Sequence, residues 1–153
     1  MNVAEFIASA FKEVPYPGDD HIALHECPEC RQIRHDFCGK SPQVLADCVL
    51  ERRFDSLPLL SPAAFHYFVS AYMFYALSHP DSVVAYFTFW GLGVKGFDPI
   101  DLERFRLFSR QQKEAVVAFL EFFKSHEIED DDQDIHEYQR NLDTAIKRWK
   151  ELF

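Results

Sequence analysis

Apolar residues recur at every third or fourth position through most of this chain, which is the spacing of an α-helix that buries one face. The first apolar stripe starts at Val3 and stops before Pro15, and the last one ends at Phe153. This period predicts a mainly α protein, built as a compact single-domain bundle of about six or seven helices. The predicted helices cover about 3–14, 28–38, 42–49, 63–77, 99–108, 110–123 and 135–152.

Residues that favour helix ends agree with this assignment. The pairs Ser41-Pro42 and Ser61-Pro62 each place a serine at the N-cap and a proline at the first helical position, where its missing N–H costs nothing. Ser109 and Gln112 have the spacing of a capping box, and Gly39 suits a left-handed C-terminal cap. The helix after Ser41 is expected to bury four residues: Val44, Leu45, Cys48 and Val49.

Three short segments lack a decisive period. Residues 21–26 alternate at Ile22 and Leu24, which is typical of a strand or an extended loop. Residues 82–90 are rich in β-branched and aromatic side chains, so a strand and a buried helix fit equally well. Residues 91–96 match the GxGxxG pattern, but the helix and the acidic residue of a dinucleotide site are missing, and we predict a loop. The bundle therefore has room for one short strand or hairpin.

Composition sets the domain organisation and the classes of partner. The chain has 153 residues, 48% of them hydrophobic, and 16 phenylalanines, which is enough for one core, so 1–153 is taken as a single globular domain. Its 25 acidic residues against 16 basic ones leave a net charge of −9, which repels nucleic acids and anionic membranes. We therefore expect the partner to be a protein, of basic character. We also expect the chain to be a monomer or a weak dimer.

A long uncharged stretch raises the question of a membrane. No Asp, Glu, Lys or Arg occurs between Ser56 and Pro80. Its prolines and the lack of basic flanks favour a buried central helix over a membrane span. At the N-terminus Glu5 interrupts the apolar region that a signal peptide would need. We therefore expect a cytoplasmic protein.

The densest concentration of chemical groups is a Cys/His cluster at positions 25–38. Cys27, Cys30, His35 and Cys38 form a Cys-x2-Cys-x4-His-x2-Cys pattern, with His25 just before it. Zinc takes four such nitrogen and sulfur donors, and a site filled by protein ligands alone is structural. The pattern predicts one structural zinc ion, held by Cys27, Cys30, Cys38 and either His35 or His25. Ordinary reduced thiols are the alternative. A redox dithiol is a third interpretation, although the βαβ surroundings of that motif are missing.

Other polar residues suggest no reaction. His66 lies in the most apolar predicted helix, which favours a core imidazole over a catalytic one. Six acidic residues between 127 and 134 form a solvated patch, and their spacing fails the calcium-loop pattern. No nucleophile or general base is named by a motif.

Three stretches together resemble one family. They are FKEVPYPGDDHI at 11–22, LSPAAFHYFVSAYMFYAL at 60–77 and FSRQQKEAVVAFLEFF at 108–123. In their residues and order, these stretches resemble a family of small bacterial proteins of unknown function. Its members share a P-x-PGD turn, an LSPEAFRYYLPAY-type helix and an F-S/T-x-EQ helix start. This chain departs from that pattern at Ala63, Ser70 and Gln111. The resemblance implies a bacterial, cytosolic, mostly helical protein, in which any metal is an accessory of the fold; it supplies no activity.

These observations lead to two hypotheses of function. The first is a non-catalytic, acidic helical module that binds a basic protein, as an adaptor or in the manner of bacterial immunity proteins that neutralise toxins. The second is a metal-dependent enzyme that uses the Cys/His cluster, which would require three protein ligands and a bound water.

Overall fold

The computed structural model describes residues 1–125 and 133–153, with the side chains of 133–136 left aside. This part of the chain forms eight α-helices and contains no β-strand, so the predicted mainly helical fold is confirmed. The helices are α1 (Val3–Phe11), α2 (Pro28–Phe37), α3 (Asp47–Arg52), α4 (Pro62–Ser78), α5 (Val83–Gly91), α6 (Pro99–Phe105), α7 (Arg110–Lys124) and α8 (Gln133–Glu151). Three short 3-10 turns lie at Asp19–His21, Pro42–Val44 and Leu57–Leu59.

Helix α4 is the centre of the bundle. The Ser61 hydroxyl accepts a hydrogen bond from the Ala64 N–H and so begins the helix as predicted. Helices α1, α3, α5 and α6 pack around it, and Phe68 meets Phe37 of α2 edge to face at 4.9 Å. The uncharged stretch is therefore a buried core helix. Among the described helices, none is long and apolar enough to cross a bilayer.

The segment 82–90 proves to be helical. The Ser82 hydroxyl caps α5 by accepting from the Ala85 N–H, and the Thr88 hydroxyl donates back to the Val84 carbonyl at 2.7 Å. Burial against α4 selects the helix, because Val84, Ala85, Thr88 and Phe89 then share one buried face. This helix is the one that raises the number above the predicted six or seven.

The segment 21–26 is an extended loop with a single bridge. Ala23 and Leu60 pair in antiparallel fashion, flanked by hydrogen bonds from Leu24 N–H to the Leu59 carbonyl (2.9 Å) and from Ser61 N–H to the Ile22 carbonyl (3.0 Å). Two bonds tie this loop to the entrance of α4 without making a strand. The same bonds fix where the chain enters α2.

The prediction for the helix after Ser41 was wrong in part. Ser41 makes no side-chain cap; the chain forms the 3-10 turn instead, and Leu45 is extended (φ −67°, ψ 119°). Helix α3 therefore begins later, at Asp47, and its register differs from the predicted one. Leu45 and Val49 are buried as expected, whereas Val44 and Cys48 are exposed. Cys48 is thus a surface thiol and not a core residue.

An aromatic cluster closes the bundle between α6, α7 and α8. Trp149 is fully buried; its ring lies 4.3 Å from Phe105 and 5.6 Å from Phe108, and its Nε1–H donates to the Leu92 carbonyl at 2.8 Å. Phe97 packs edge to face on Trp149, with ring centres 5.8 Å apart. The loop 92–97 is held here because the indole needs a buried hydrogen-bond acceptor.

Gly93 cannot be replaced without disturbing this cluster. Its φ is +89°, and a Cβ atom at this position would overlap the Phe97 ring, which the cluster holds in place. We predict that Gly93→Ala lowers the free energy of unfolding by about 3 kcal/mol. Gly39→Ala is the matched control, since φ is +70° and a Cβ there would meet open space; it should cost about 1 kcal/mol. Urea unfolding of the two variants measures the difference. Equal losses would show that the clash with Phe97 is unimportant.

A second buried feature is polar. The Gln112 side chain completes the predicted capping box of α7: Ser109 N–H donates to its Oε1 at 2.8 Å, and Gln112 N–H donates to the Ser109 hydroxyl at 3.2 Å. Its Nε2 donates to the Ala10 carbonyl at 3.0 Å, and His66 Nε2 donates to its Oε1 at 2.7 Å. One amide thus joins α1, α4 and α7.

His66 should make the stability of the protein depend on pH. Burial lowers the pKa of His66, against the opposing effect of its hydrogen bond to Gln112. The unfolded chain therefore takes up a proton at a higher pH than the folded one, so this contribution to stability is complete above about pH 6.5 and is lost as pH falls through the folded pKa. We predict that His66→Gln reduces the decrease in the free energy of unfolding between pH 7.5 and pH 5. Urea unfolding across that range checks it, and identical pH slopes for both proteins would contradict it.

Candidate functional site

The Cys/His cluster begins at a loop that Arg34 of α2 holds in place. The guanidinium of Arg34 donates to the His25 carbonyl at 2.8 Å and binds both carboxylate oxygens of Glu26, at 2.9 and 3.2 Å. A fork of this kind orients what it binds more strictly than a single point charge. Together with the bridge at Ala23, it determines how the chain reaches the first turn of α2.

Cys27 and Cys30 lie together at the start of α2. Cys27 is the N-cap residue, and its sulfur accepts a hydrogen bond from the Cys30 N–H at 3.3 Å. Cys27 is exposed, whereas Cys30 is fully buried. Hydrogen bonds from the backbone and thiol of Cys30 lower the pKa of Cys27. Burial, followed by the contact with Cys27, raises the pKa of Cys30.

Cys38 lies at the opposite end of α2, in a different environment. Its thiol hydrogen-bonds with Asp19, which raises the pKa of Cys38. The Tyr16 hydroxyl donates to the same carboxylate and accepts from the Gly39 N–H at 2.8 Å. Burial and the contact with Asp19 raise the pKa of Tyr16 to about 12. These contacts close the C-terminal end of the helix, with Gly39 in the predicted left-handed conformation (φ 70°).

The structure brings only part of the predicted zinc ligands together. Cys38 lies eight positions after Cys30, which corresponds to about 12 Å along the axis of α2. His25 and His35 are both exposed. Within the described ranges, no three His, Cys, Asp or Glu side chains converge closely enough to hold a metal ion. Zinc binding by this cluster, and the metal-dependent enzyme that would follow from it, stay predictions.

Asp36 anchors the rest of α2 to the bundle. Its buried carboxylate accepts from Arg53 Nε at 2.7 Å and from Arg52 Nη2 at 3.1 Å. Burial opposes ionisation, but the two arginines more than offset it and lower the pKa of Asp36. This ion pair and the Phe37 ring hold the C-terminal end of α2 against the bundle, while Cys27 at the other end stays exposed.

A second candidate site, which the sequence did not indicate, lies between α5 and α8. Tyr86 and Trp90 are 47% and 41% exposed, although the opposite face of α5 is buried. Their rings are 5.7 Å apart and form one wall of a groove of about 420 Å³. The groove is completed by Val94, Lys95, Glu137, Tyr138 and Asn141. The signal that could have found it was the i, i+4 spacing of two aromatic residues, which the uncertainty between strand and helix concealed.

The sequence singled out three further features: the glycines of 91–96, His66 and the acidic patch. Gly91 is the last residue of α5, whereas Gly93 and Gly96, both at positive φ, lie in the loop that follows, so the predicted loop is confirmed for 92–96 only. His66 is half-buried and stacks on Phe108 at 4.9 Å. The acidic patch at 127–134 lies outside the residues whose side chains the structure describes.

Comparison with known proteins assigns the chain to a family and supplies no activity. The chain belongs to a family of unknown function (DUF6714), whose model matches residues 2–152. No curated protein and no solved structure shows a significant match.

Proposed function

We propose that this protein is a non-catalytic binding module that captures a basic segment of another protein in the groove between α5 and α8. The observation that carries the proposal is the exposure of Tyr86 and Trp90 on a helix whose other face is buried. The protein would act as an adaptor or an inhibitor, by occupying its partner. No reaction is required of the groove.

The aromatic pair has the properties of a binding hot spot. Val83, which precedes Tyr86 by three residues, is 52% exposed and extends the apolar surface along the same helix. Exposed apolar rings are costly in water, and Trp and Tyr are the residue types that most often dominate the energy of protein interfaces. The groove's volume suits one or two large side chains of a partner. An amphipathic helix that inserts an apolar side chain between α5 and α8 fits this shape.

Charge favours a basic occupant. Among the described residues that line the groove, Lys95 is the one cation and Glu137 the one anion, so these two charges balance. The whole chain, at −9, attracts cations at long range and speeds the encounter with a basic partner. Lys95 and Glu137 would then orient the segment, while the aromatic rings supply most of the affinity.

The two tryptophans allow a direct test. Trp90 is exposed and Trp149 is fully buried, so acrylamide should quench the fluorescence of Trp90 selectively. We predict that an amphipathic helical peptide of leucine and lysine protects Trp90 from acrylamide, whereas a leucine–glutamate peptide of equal length does not. Raising the salt concentration should weaken the binding, because screening reduces the long-range attraction.

Matched variants locate the binding surface. Tyr86→Ala should weaken binding of the lysine peptide about tenfold, corresponding to roughly 1.4 kcal/mol. Leu107→Ala removes a similarly exposed apolar side chain (46%) outside the groove and should leave the affinity unchanged. Equal protection by both peptides, or equal effects of the two variants, would refute the proposal.

A further inference from the structure

We propose that Cys27 and Cys30 form a redox-active dithiol that exchanges with low-molecular-weight disulfides. This activity is separate from protein binding, since it uses the first turn of α2 and not the groove between α5 and α8. The structure supports it through three features: two cysteines in one helical turn with the Cys30 N–H donating to the Cys27 sulfur at 3.3 Å, unequal access of solvent to the two sulfurs, and hydrogen bonds that hold the loop before the turn.

Helix geometry brings the two cysteines close together. Cys27 is the N-cap and Cys30 is three residues later, a spacing that places Cβ atoms about 5–6 Å apart. A disulfide takes a Cβ separation of about 3.5–4.5 Å, so a small adjustment of the first turn closes the bond. Pro28 at the first helical position suits this turn, because it adopts the helical φ angle and has no N–H to satisfy.

Unequal exposure assigns a different role to each sulfur. Cys27 is open to solvent and can meet an incoming disulfide, whereas Cys30 is fully buried behind it. Cys27 is therefore the attacking residue and Cys30 the resolving one. The other two cysteines, Cys38 and Cys48, are exposed and lie outside this turn, so the test removes both of them.

The exchange has two balanced steps. The Cys27 thiolate attacks one sulfur of a disulfide R–S–S–R and forms Cys27–S–S–R. The released RS⁻ takes up one proton, which balances the proton that Cys27 lost on ionising. Cys30 then loses its proton and attacks the Cys27 sulfur, which forms the Cys27–Cys30 disulfide and releases a second RSH. Two electrons and two protons pass from the protein to the small disulfide. Excess low-molecular-weight thiol reverses both steps and regenerates the dithiol.

Arg34 keeps the turn in place during this cycle. Its bonds to the His25 carbonyl and to Glu26 fix the loop that leads into Cys27. The bridge between Ala23 and Leu60 connects that loop to the entrance of α4. A closing disulfide therefore acts on a first turn whose preceding loop is held in place, which favours the Cys27–Cys30 pair over bonds between distant cysteines.

The test uses the full chain with Cys38→Ser and Cys48→Ser, which leaves only the pair. The reduced protein is treated with oxidised glutathione at neutral pH and analysed by intact mass and peptide mapping. We expect the loss of two hydrogens and a disulfide between Cys27 and Cys30. With Cys30→Ser added, a glutathione adduct should persist on Cys27, at a level at least about tenfold above that of the intact pair.

Two further variants keep the result interpretable. Cys30→Ala repeats the resolving-residue test if serine is poorly tolerated at the buried position, and circular dichroism checks that each variant is folded. Cys27→Ser should leave Cys30 without an adduct in the folded protein, because its sulfur is buried.

Three results would overturn the proposal. In the first, the adduct on Cys27 would persist equally with and without Cys30. In the second, the disulfide would form only in denaturant. In the third, both sulfurs would resist oxidised glutathione until a chelator removed an equivalent of zinc. The third result would instead identify the pair as part of the predicted zinc site.

Discussion

The burial of α4 on nearly every side is the constraint on which the rest of the structure depends. Polar groups on a buried helix must find partners inside the protein, because each unsatisfied one costs about 1–3 kcal/mol. Tyr72 donates to the Arg53 carbonyl and Tyr75 to the Glu51 carboxylate, each at 2.7 Å, and His66 binds Gln112. Two of these bonds go to α3 or its C-terminal cap, and the third goes to α7. The polar groups of the central helix thus help to position the elements around it.

From this core, a series of hydrogen bonds leads outward to the dithiol. The buried guanidinium of Arg104, in α6, donates to the carbonyls of Pro58 and Leu60 at 2.6 and 3.2 Å. The chain at 59–61 in turn pairs with residues 22–24, which lead into the loop bound by Arg34. In both places an arginine satisfies the carbonyls of a segment without regular structure. The position of Cys27 on the surface is therefore determined by contacts that begin in the core.

The two candidate surfaces have different physical origins. The groove between α5 and α8 exists because α5 is apolar on both faces while the fold covers only one of them. The two cysteines differ in exposure because Cys27, at the helix N-cap, lies on the surface, whereas Cys30, in the first turn, faces the core. The proposed binding at the groove would depend on apolar contact, whereas the proposed chemistry at the pair would depend on access to a single sulfur. A variant of one surface is expected to leave the other intact.

The sequence by itself determined the helical class and several helix starts, because apolar period and capping residues are local properties. Ser61, Ser109 with Gln112, and Gly39 all act as their types and spacing indicated. It also singled out Cys27 and Cys30, since the CxxC spacing is visible in one dimension. Only the tertiary structure decided which of the two sulfurs is buried, that 82–90 is helical, and that Cys48 faces solvent. Those outcomes depend on which neighbours pack against each segment. Packing between residues that are distant in the chain is not encoded in local sequence patterns.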